Sequence, residues 1–344
     1  MNESREALLQ RLQTQALQIR RNVWRAVRAG GSGHVGGSSS AADILAALYF
    51  YRMNLRPKEP KWPDRDRFVL SKGHANAALG PVLAQAGFID DAIIDRFYGY
   101  ESPFGMHPDI KLPGVEMCTG ALGHGLAIAM GMALGARIQK QSFQTYVMIG
   151  DGELHEGSNW EAAMTAAHYR LANLTAIIDA NKISQSGRVA DIVGVEPLAD
   201  KWRAFGWAVR EIDGHDMGQI VDALDALPFD GERPSALIAN TVKGKGVSFA
   251  ENTYLWHSNN VNDEIYAKAM AELGARCRPQ RLRIGARNPR TRHGWRSVRR
   301  CSSSARASRA PSCSPRTRKT CSAFAVTSSA TPIASSRSAS PSRT

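Results

Sequence analysis

Over the first 275 residues, apolar positions follow two alternating patterns. TYVMIGD, LTAIIDA, WAVREID and SALIANTV read as strands, most of them near-continuous apolar runs bounded by turn residues. SNWEAAMTAAHYR, PLADKWRAFG and MGQIVDALDAL lie between them and carry apolar residues at helical spacing. Upstream, the charged N-terminal stretch MNESREALLQRLQTQALQIRRNVWRAV predicts an amphipathic helix. A turn follows over 29–40, then a helix over about 41–51 and a short buried strand at 68–71 with Gly73 as its turn. Helical segments run to about 87 and about 100. The Gly/Pro-rich loop ESPFGMHPDIKLPGVEMCTGALGHG then leads into a small-residue helix over 126–139. Strands alternating with helices of this length predict an α/β fold, a parallel β-sheet with helices on both faces. No internal repeat is evident.

The 344 residues and 43% hydrophobic content suffice for two domains and a substantial core. A net charge of +13 ordinarily suggests nucleic acid or an anionic surface. Its distribution changes that picture. Residues 276–344 hold sixteen Arg, one Lys and no acidic residue, a charge of +17 that leaves residues 1–275 at −4. The body is thus a mildly acidic domain. The Arg/Ser-rich tail shows no helix or strand period, and reads as disordered polycation, as translation of a shifted reading frame, or as a non-specific nucleic-acid arm. Four of the five cysteines (Cys277, Cys301, Cys313, Cys321) fall in the tail with no metal-binding spacing. Cys118 alone remains in the body, which fits a reducing cytoplasm. The N-terminal helix lacks a signal peptide's apolar core, and the longest apolar stretch, 126–136, is too short to span a bilayer.

The chemistry concentrates in GDGELHEGSNWEAAMTAAHYRLANLTAIIDANKI. Two strands joined by a helix form a βαβ unit, whose right-handed crossover places Asp151 and Asn181 just past two parallel strand ends. Ligands bind at that edge of an open α/β sheet. Gly150 and Gly152 allow close backbone approach, and the residues after them lead into a helix N-terminus that favours anions. A carboxylate, a carboxamide and a nearby carbonyl are hard oxygen ligands suited to Mg²⁺ shared with phosphate oxygens. The alternative is a plain strand-to-helix turn with Asn181 as a loop residue. The formal GxGxxG at Gly31, Gly33 and Gly36 follows a helix, not a strand, and is rejected as a dinucleotide loop.

GDG followed 29 residues later by Asn is similar to the thiamine-diphosphate signature. Together with SGHVGGSSS, DRFVLSKGHA, HPDIKLPGVEMCTGALGHGLA and TVKGKGVSFAENTYLWHSN, it makes residues 10–275 resemble the N-terminal, diphosphate-binding domain of transketolases. The resemblance implies the thiamine-diphosphate-binding fold, thiamine diphosphate and Mg²⁺ as cofactors, and transfer of a two-carbon ketol unit from a ketose phosphate to an aldose phosphate. It implies Asp151, Asn181 and the Ile183 carbonyl as metal ligands, and His74, Gly152 and His257 on the diphosphate side. Gly120, Ala121 and Leu122 would line the aminopyrimidine, while His34, His107 and His257 would face the sugar hydroxyls and the reacting carbons. Glu156 would lie at a subunit interface, directed towards a partner's catalytic Glu.

Ala121, His124 and Ala180 depart from the family's commoner Pro, Gln and acidic or Asn residues, without removing a ligand. KGKG (243–246) is similar to the related deoxyxylulose-phosphate synthases, so such an enzyme, or the α chain of a 2-oxo acid dehydrogenase, is the competing catalytic reading. Lys243 and Lys245 reach either a phosphate or solvent. His124 reads as a helix-start contact, and His155, His168 and His215 as surface or packing residues. In the family, the activating Glu and most sugar-phosphate contacts belong to a second, pyrimidine-binding domain. The resemblance therefore implies the N-terminal subunit of a split transketolase, a heterotetramer with a pyrimidine-binding C-terminal partner. A non-catalytic subunit that only binds a partner is the reading from a different class.

Overall fold

The computed structural model describes residues 3–274, so the expectations for the basic tail lie outside the described residues. The chain opens with α1 (Arg5–Gly30), N-capped by Ser4, whose hydroxyl accepts from the Ala7 N–H, and ended by Gly31 at φ 77°. Its buried stripe of Leu12, Ala16, Ile19, Val23 and Val27 repeats at helical spacing. There follow β1 (Ser32–Gly33), α2 (Val35–Ser40), α3 (Ala42–Ala47), a π-turn (Leu48–Arg52), β2 (Arg67–Leu70), α4 (Asn76–Gln85) and α5 (Gly125–Ile138). The second half comprises β3 (Thr145–Gly150), α6 (Gly157–His168), β4 (Leu174–Ala180), α7 (Val189–Ile192), α8 (Leu198–Ala204), β5 (Ala208–Asp213), α9 (Met217–Asp225), β6 (Ser235–Asn240), β7 (Asn259–Asn260) and α10 (Asp263–Glu272).

Several segments differ from expectation. HVGGSSS reads as a turn, yet the chain is helical from Val35 because all six residues of α2 are buried. A Cβ on Gly36 would lie 2.7 Å from the Trp256 carbonyl, so the glycines permit a close approach whose packing offsets their poor helix propensity. The segment running towards residue 100 holds only a 3₁₀ stretch, Asp91–Arg96. The antiparallel β1–β7 pair and α10, N-capped by Asn262, add to the elements expected.

Five parallel strands form the main sheet in the order β2-β3-β4-β6-β5. Tyr146, Met148, Ile177 and Leu237 pack on one face with residues of α1, α3, α4 and α9. Val147, Ile149, Ile178 and Ile238 pack on the other with residues of α5, α6 and α8. Alternate residues of each strand thus enter different cores, which is why the strands read as continuous apolar runs. Register aligns the C-terminal ends, with Gly150 opposite Asp179 and Asp179 opposite Ala239.

A buried ion pair ties those ends together. The Lys72 ammonium, 1% exposed, donates to the Asp179 carboxylate, 0% exposed, and to the Gly37 carbonyl at 2.9 Å. Ser40 and Thr241 hydroxyls donate to the same carboxylate, Ser40 at 2.6 Å. Burial alone would raise the Asp179 carboxyl, but Lys72 and these donors hold it below its ordinary value. One carboxylate so joins β4, the turn after β2, α2 and the segment after β6. Breaking a buried pair strands a charge, so Lys72→Met should cost about 3–5 kcal/mol in urea unfolding. Adding Asp179→Asn removes that stranded charge and should recover part of the loss; a double variant no more stable than the single one would refute the account.

Candidate active site at the strand ends

The turn after β3 and the turn after β4 meet at one pole. Asp151, 2% exposed, accepts from the Gly152 N–H at 2.8 Å and from the Lys182 N–H at 2.6 Å. The second bond pins the Asn181–Lys182–Ile183 turn, where Lys182 sits at φ 66°, against the β3 end. Asn181 accepts from the Ile183 N–H at 3.2 Å and donates to Asp179 at 3.4 Å. Burial, and then the neighbouring Asp179, push the Asp151 carboxyl up, so a cation here would be electrostatically favourable. Among the described residues, no cluster of three or more His, Cys, Asp or Glu forms a metal site. The available donors are a carboxylate, a carboxamide and a carbonyl, the hard set that suits Mg²⁺.

Lys243 closes this pole. Its ammonium donates to the carbonyls of Ile183 at 2.7 Å and Ser184 at 3.1 Å, and lies 2.8 Å from His257 Nδ1. Burial and the nearby Lys72 lower Lys243 to about 7. Lys245 is half-buried one turn further on.

Four imidazoles converge beside the pole. His34 lies 5.4 Å from His74, 5.3 Å from His257 and 6.4 Å from His107 between ring centroids, and His74 lies 5.0 Å from His257. They arrive from the α2 N-terminus, the turn after β2, the 101–124 loop and the segment before β7. Desolvation lowers all four: His34 to about 4, helped by His107, and His257 to about 3, helped by Lys243. His74 is lowered well below its ordinary value and His107 less. At neutral pH the cluster is therefore uncharged, four rings each able to donate at one nitrogen and accept at the other.

The 119–123 loop borders the cluster. Gly120 has φ 146°, and a Cβ there would meet the His107 ring at 3.0 Å, so only glycine fits. Thr119 donates to the Leu70 carbonyl at 2.7 Å, which fastens the loop to β2. Buried Glu153 then gathers three motifs, accepting from Ser71, from Gly123 N–H at 2.9 Å and from Gly150 N–H at 3.1 Å. Glu156 is exposed, its side chain close to Gly123, whose carbonyl accepts from Ser158 at 2.9 Å. Ala121 is exposed and Leu122 partly so, placing both at the site's open edge.

The sequence-derived residues are thus brought together, with Gly152 and Ile183 at the pole and Gly120 beside His107. His124 contacts the Leu122 carbonyl at the start of α5, and His155 the Val193 carbonyl, both on the surface. His168 is an exposed surface residue against Tyr169, whereas His215 packs between Asp43 and Val242. Sequence reasoning missed the supporting roles of Lys72, Asp179, Thr241 and Glu153. An acid inside the apolar run LTAIIDA is the signal that marks Asp179, because a charge in a strand buried on both faces needs a partner. The residues fit thiamine diphosphate: His34 Nδ1, within the imidazole cluster, is buried without a partner, and the pole supplies hard oxygens.

The family described as transketolase, thiamine diphosphate binding domain, matches residues 12–283. An apulose-4-phosphate transketolase subunit of Phocaeicola vulgatus is 41% identical over 265 residues, covering 77% of this chain and 94% of that protein. The 6-deoxy-6-sulfo-D-fructose transketolase subunit SqwG of Clostridium sp. is 43% identical over 263 residues, covering 76% and 96%. The solved transketolase of Campylobacter jejuni superposes with a TM-score of 0.73 at 33% identity, covering 80% of this chain and 43% of that one. The chain therefore spans nearly the whole of the two subunits but about two-fifths of the longer transketolase. No helix among the described residues is long and apolar enough to cross a membrane. Fold, site and similarity agree, and the chain belongs to the transketolase family through its thiamine diphosphate binding domain.

Proposed function

We propose that this chain is the diphosphate-binding subunit of a two-subunit transketolase that moves a two-carbon ketol unit from a ketose to an aldose. The observation that carries the reading is the convergence of four uncharged imidazoles beside the Asp151–Asn181 pole. Asp151, Asn181 and the Ile183 carbonyl would hold Mg²⁺, with His74, Gly152, His257 and the Lys243 ammonium on the diphosphate side. Gly120, Ala121 and Leu122 would border the aminopyrimidine. When bound, thiamine diphosphate supplies the nucleophilic carbon for the transfer. His34, His107 and His257 would orient the sugar hydroxyls and take up or return protons as the sugar's carbon chain is broken and remade. Their neutrality suits that task, because an uncharged ring keeps an accepting nitrogen, although that of His257 already faces the Lys243 ammonium at 2.8 Å.

Glu156 would face a pyrimidine-binding partner that contributes the activating Glu, in an assembly of two copies of each chain. Two relatives are named as subunits, one for apulose 4-phosphate and one for a sulfonated ketose. The substrate class we infer is a ketose with a terminal anionic group, recognised largely by the partner. The setting inferred is a reducing cytoplasm, supported by the free thiol of Cys118.

Asp151→Asn removes the charge of a ligand at a strand end while keeping an oxygen to accept from the Gly152 and Lys182 amides. Calorimetry should show Mg²⁺-dependent cofactor binding weakened about a hundredfold, about 2.7 kcal/mol, with the melting temperature little changed. Unchanged affinity would refute the metal assignment. Assayed with a ketose phosphate and ribose 5-phosphate, the purified chain should transfer nothing alone and turn over once its pyrimidine-binding partner is added; robust transfer by the lone chain would sink the two-subunit reading. A third expectation concerns acid. His34 and His257 are depressed below 6.5, so the unfolded chain protonates first and stability should be lost as pH falls from about 6.5 towards 4. The double variant His34→Gln/His257→Gln should lose less over that window in thermal melts, and equal slopes would contradict buried neutral imidazoles.

A further inference from the structure

His215 stands apart from the imidazole cluster, in the turn between β5 and α9, yet it touches the segment that carries two site residues. Its Nε2 lies 2.8 Å from the Val242 nitrogen and its Nδ1 lies 2.7 Å from Asp43 Oδ2. A backbone N–H can only donate, so Nε2 must accept, and the ring proton sits on Nδ1 and is donated to Asp43. Asp43, 6% exposed, is itself held by the Arg20 guanidinium, which also donates to the Ser39 carbonyl at 3.2 Å. Burial opposes the Asp43 charge, but Arg20 and His215 keep its carboxyl below the ordinary value.

Val242 lies between Thr241, which donates to Asp179, and Lys243, which reaches the Ile183 and Ser184 carbonyls and His257. The neighbouring backbone is held at Gly244, whose N–H donates to the Gly36 carbonyl at 2.9 Å, and at Thr241, whose N–H donates to Ala180 at 3.3 Å. Val242 N–H is one of the two amides between those anchors, and its acceptor is a side chain.

We propose that His215 is a positioning residue for the diphosphate pole: the Arg20–Asp43 pair locks its Nδ1–H tautomer, so that Nε2 holds the Val242 amide and sets Thr241 and Lys243 towards the site. The idea rests on the proposed cofactor site, but the tautomer and the amide contact belong to the chain alone. It assigns a job to three polar residues, from α1, α3 and the β5–α9 turn, that touch neither pole nor cluster.

Two substitutions separate the two halves of the imidazole. His215→Asn places an amide donor near the Nδ1 position and keeps the Asp43 contact, but offers Val242 no acceptor. His215→Gln places its carbonyl near the Nε2 position and keeps the Val242 contact instead. In the full chain with Mg²⁺, calorimetry should show thiamine diphosphate binding weakened about tenfold or more by the Asn variant and within about threefold of wild type for Gln. Hydrogen exchange without cofactor should speed up at the Val242 amide in Asn and stay near wild type in Gln. Nitrogen-15 spectra of the wild-type chain should show His215 neutral and protonated at Nδ1. Equal binding and equal exchange in the two variants, or an Nε2-protonated ring in the wild type, would overturn the proposal. If wild type bound no thiamine diphosphate even with its pyrimidine-binding partner present, the proposed function would fail, while exchange and the nitrogen spectra would still decide the role of His215.

Discussion

Everything at the active end of this fold is referred to one buried carboxylate. Asp179 lies in the central strand β4, where no water can solvate it, and its charge is met by Lys72 from the turn after β2. Ser40 brings α2 to the same group and Thr241 brings the segment after β6. A buried charge must be fully partnered, so the four segments are fixed relative to one another by electrostatics rather than by apolar contact alone. His34 precedes α2, His74 follows Lys72 by two residues, Asn181 follows Asp179 by two, and Lys243 follows Thr241 by two. The ion pair thereby sets the spacing of the chemistry without taking part in it.

The site built on this frame has two electrostatic halves. At the pole, Asp151 is raised by burial and by Asp179, while Lys243 is lowered towards neutrality by burial and by Lys72. Each carries a charge that burial disfavours, and each would be relieved by the opposite charge of a metal or a diphosphate. Beside it, the imidazoles are held neutral by desolvation. A pole whose buried charges would be relieved by a metal and a diphosphate, next to uncharged imidazoles, is an arrangement that would suit a phosphorylated cofactor acting on a sugar. Glu153 couples the halves mechanically, since one side chain binds the β3 end, Ser71 and the Gly123 amide.

Much of this is legible in the chain's own pattern. The strands of the β3–α6–β4 unit fall where the apolar runs place them, because strands buried on both faces leave an unmistakable record. Asp151, His34 and His74 announce themselves as polar residues in glycine-containing turns, and Asn181 by its place at the end of an apolar strand. The helix α2 reads as a turn, because Gly36, Gly37 and the serines have low helix propensity and only burial under Trp256 and Lys243 outweighs it. The β1–β7 pair leaves no trace because two-residue strands have no periodicity to detect. Lys72 and His215 are silent for another reason: their partners lie 107 and 172 residues away.

By itself, then, the sequence determined the chain order of the five sheet strands and of the main helices packed on them, the two-sided burial of the sheet and the donor chemistry of each motif, since these depend on local period and residue type. Only the tertiary structure decided that His34, His74, His107 and His257 face one another, that Lys243 joins the Ile183 carbonyl, and that Asp179 is paired rather than exposed. Desolvation and pairing are properties of distance in space. They come into being when the strand ends align, and they turn separate polar residues into a site.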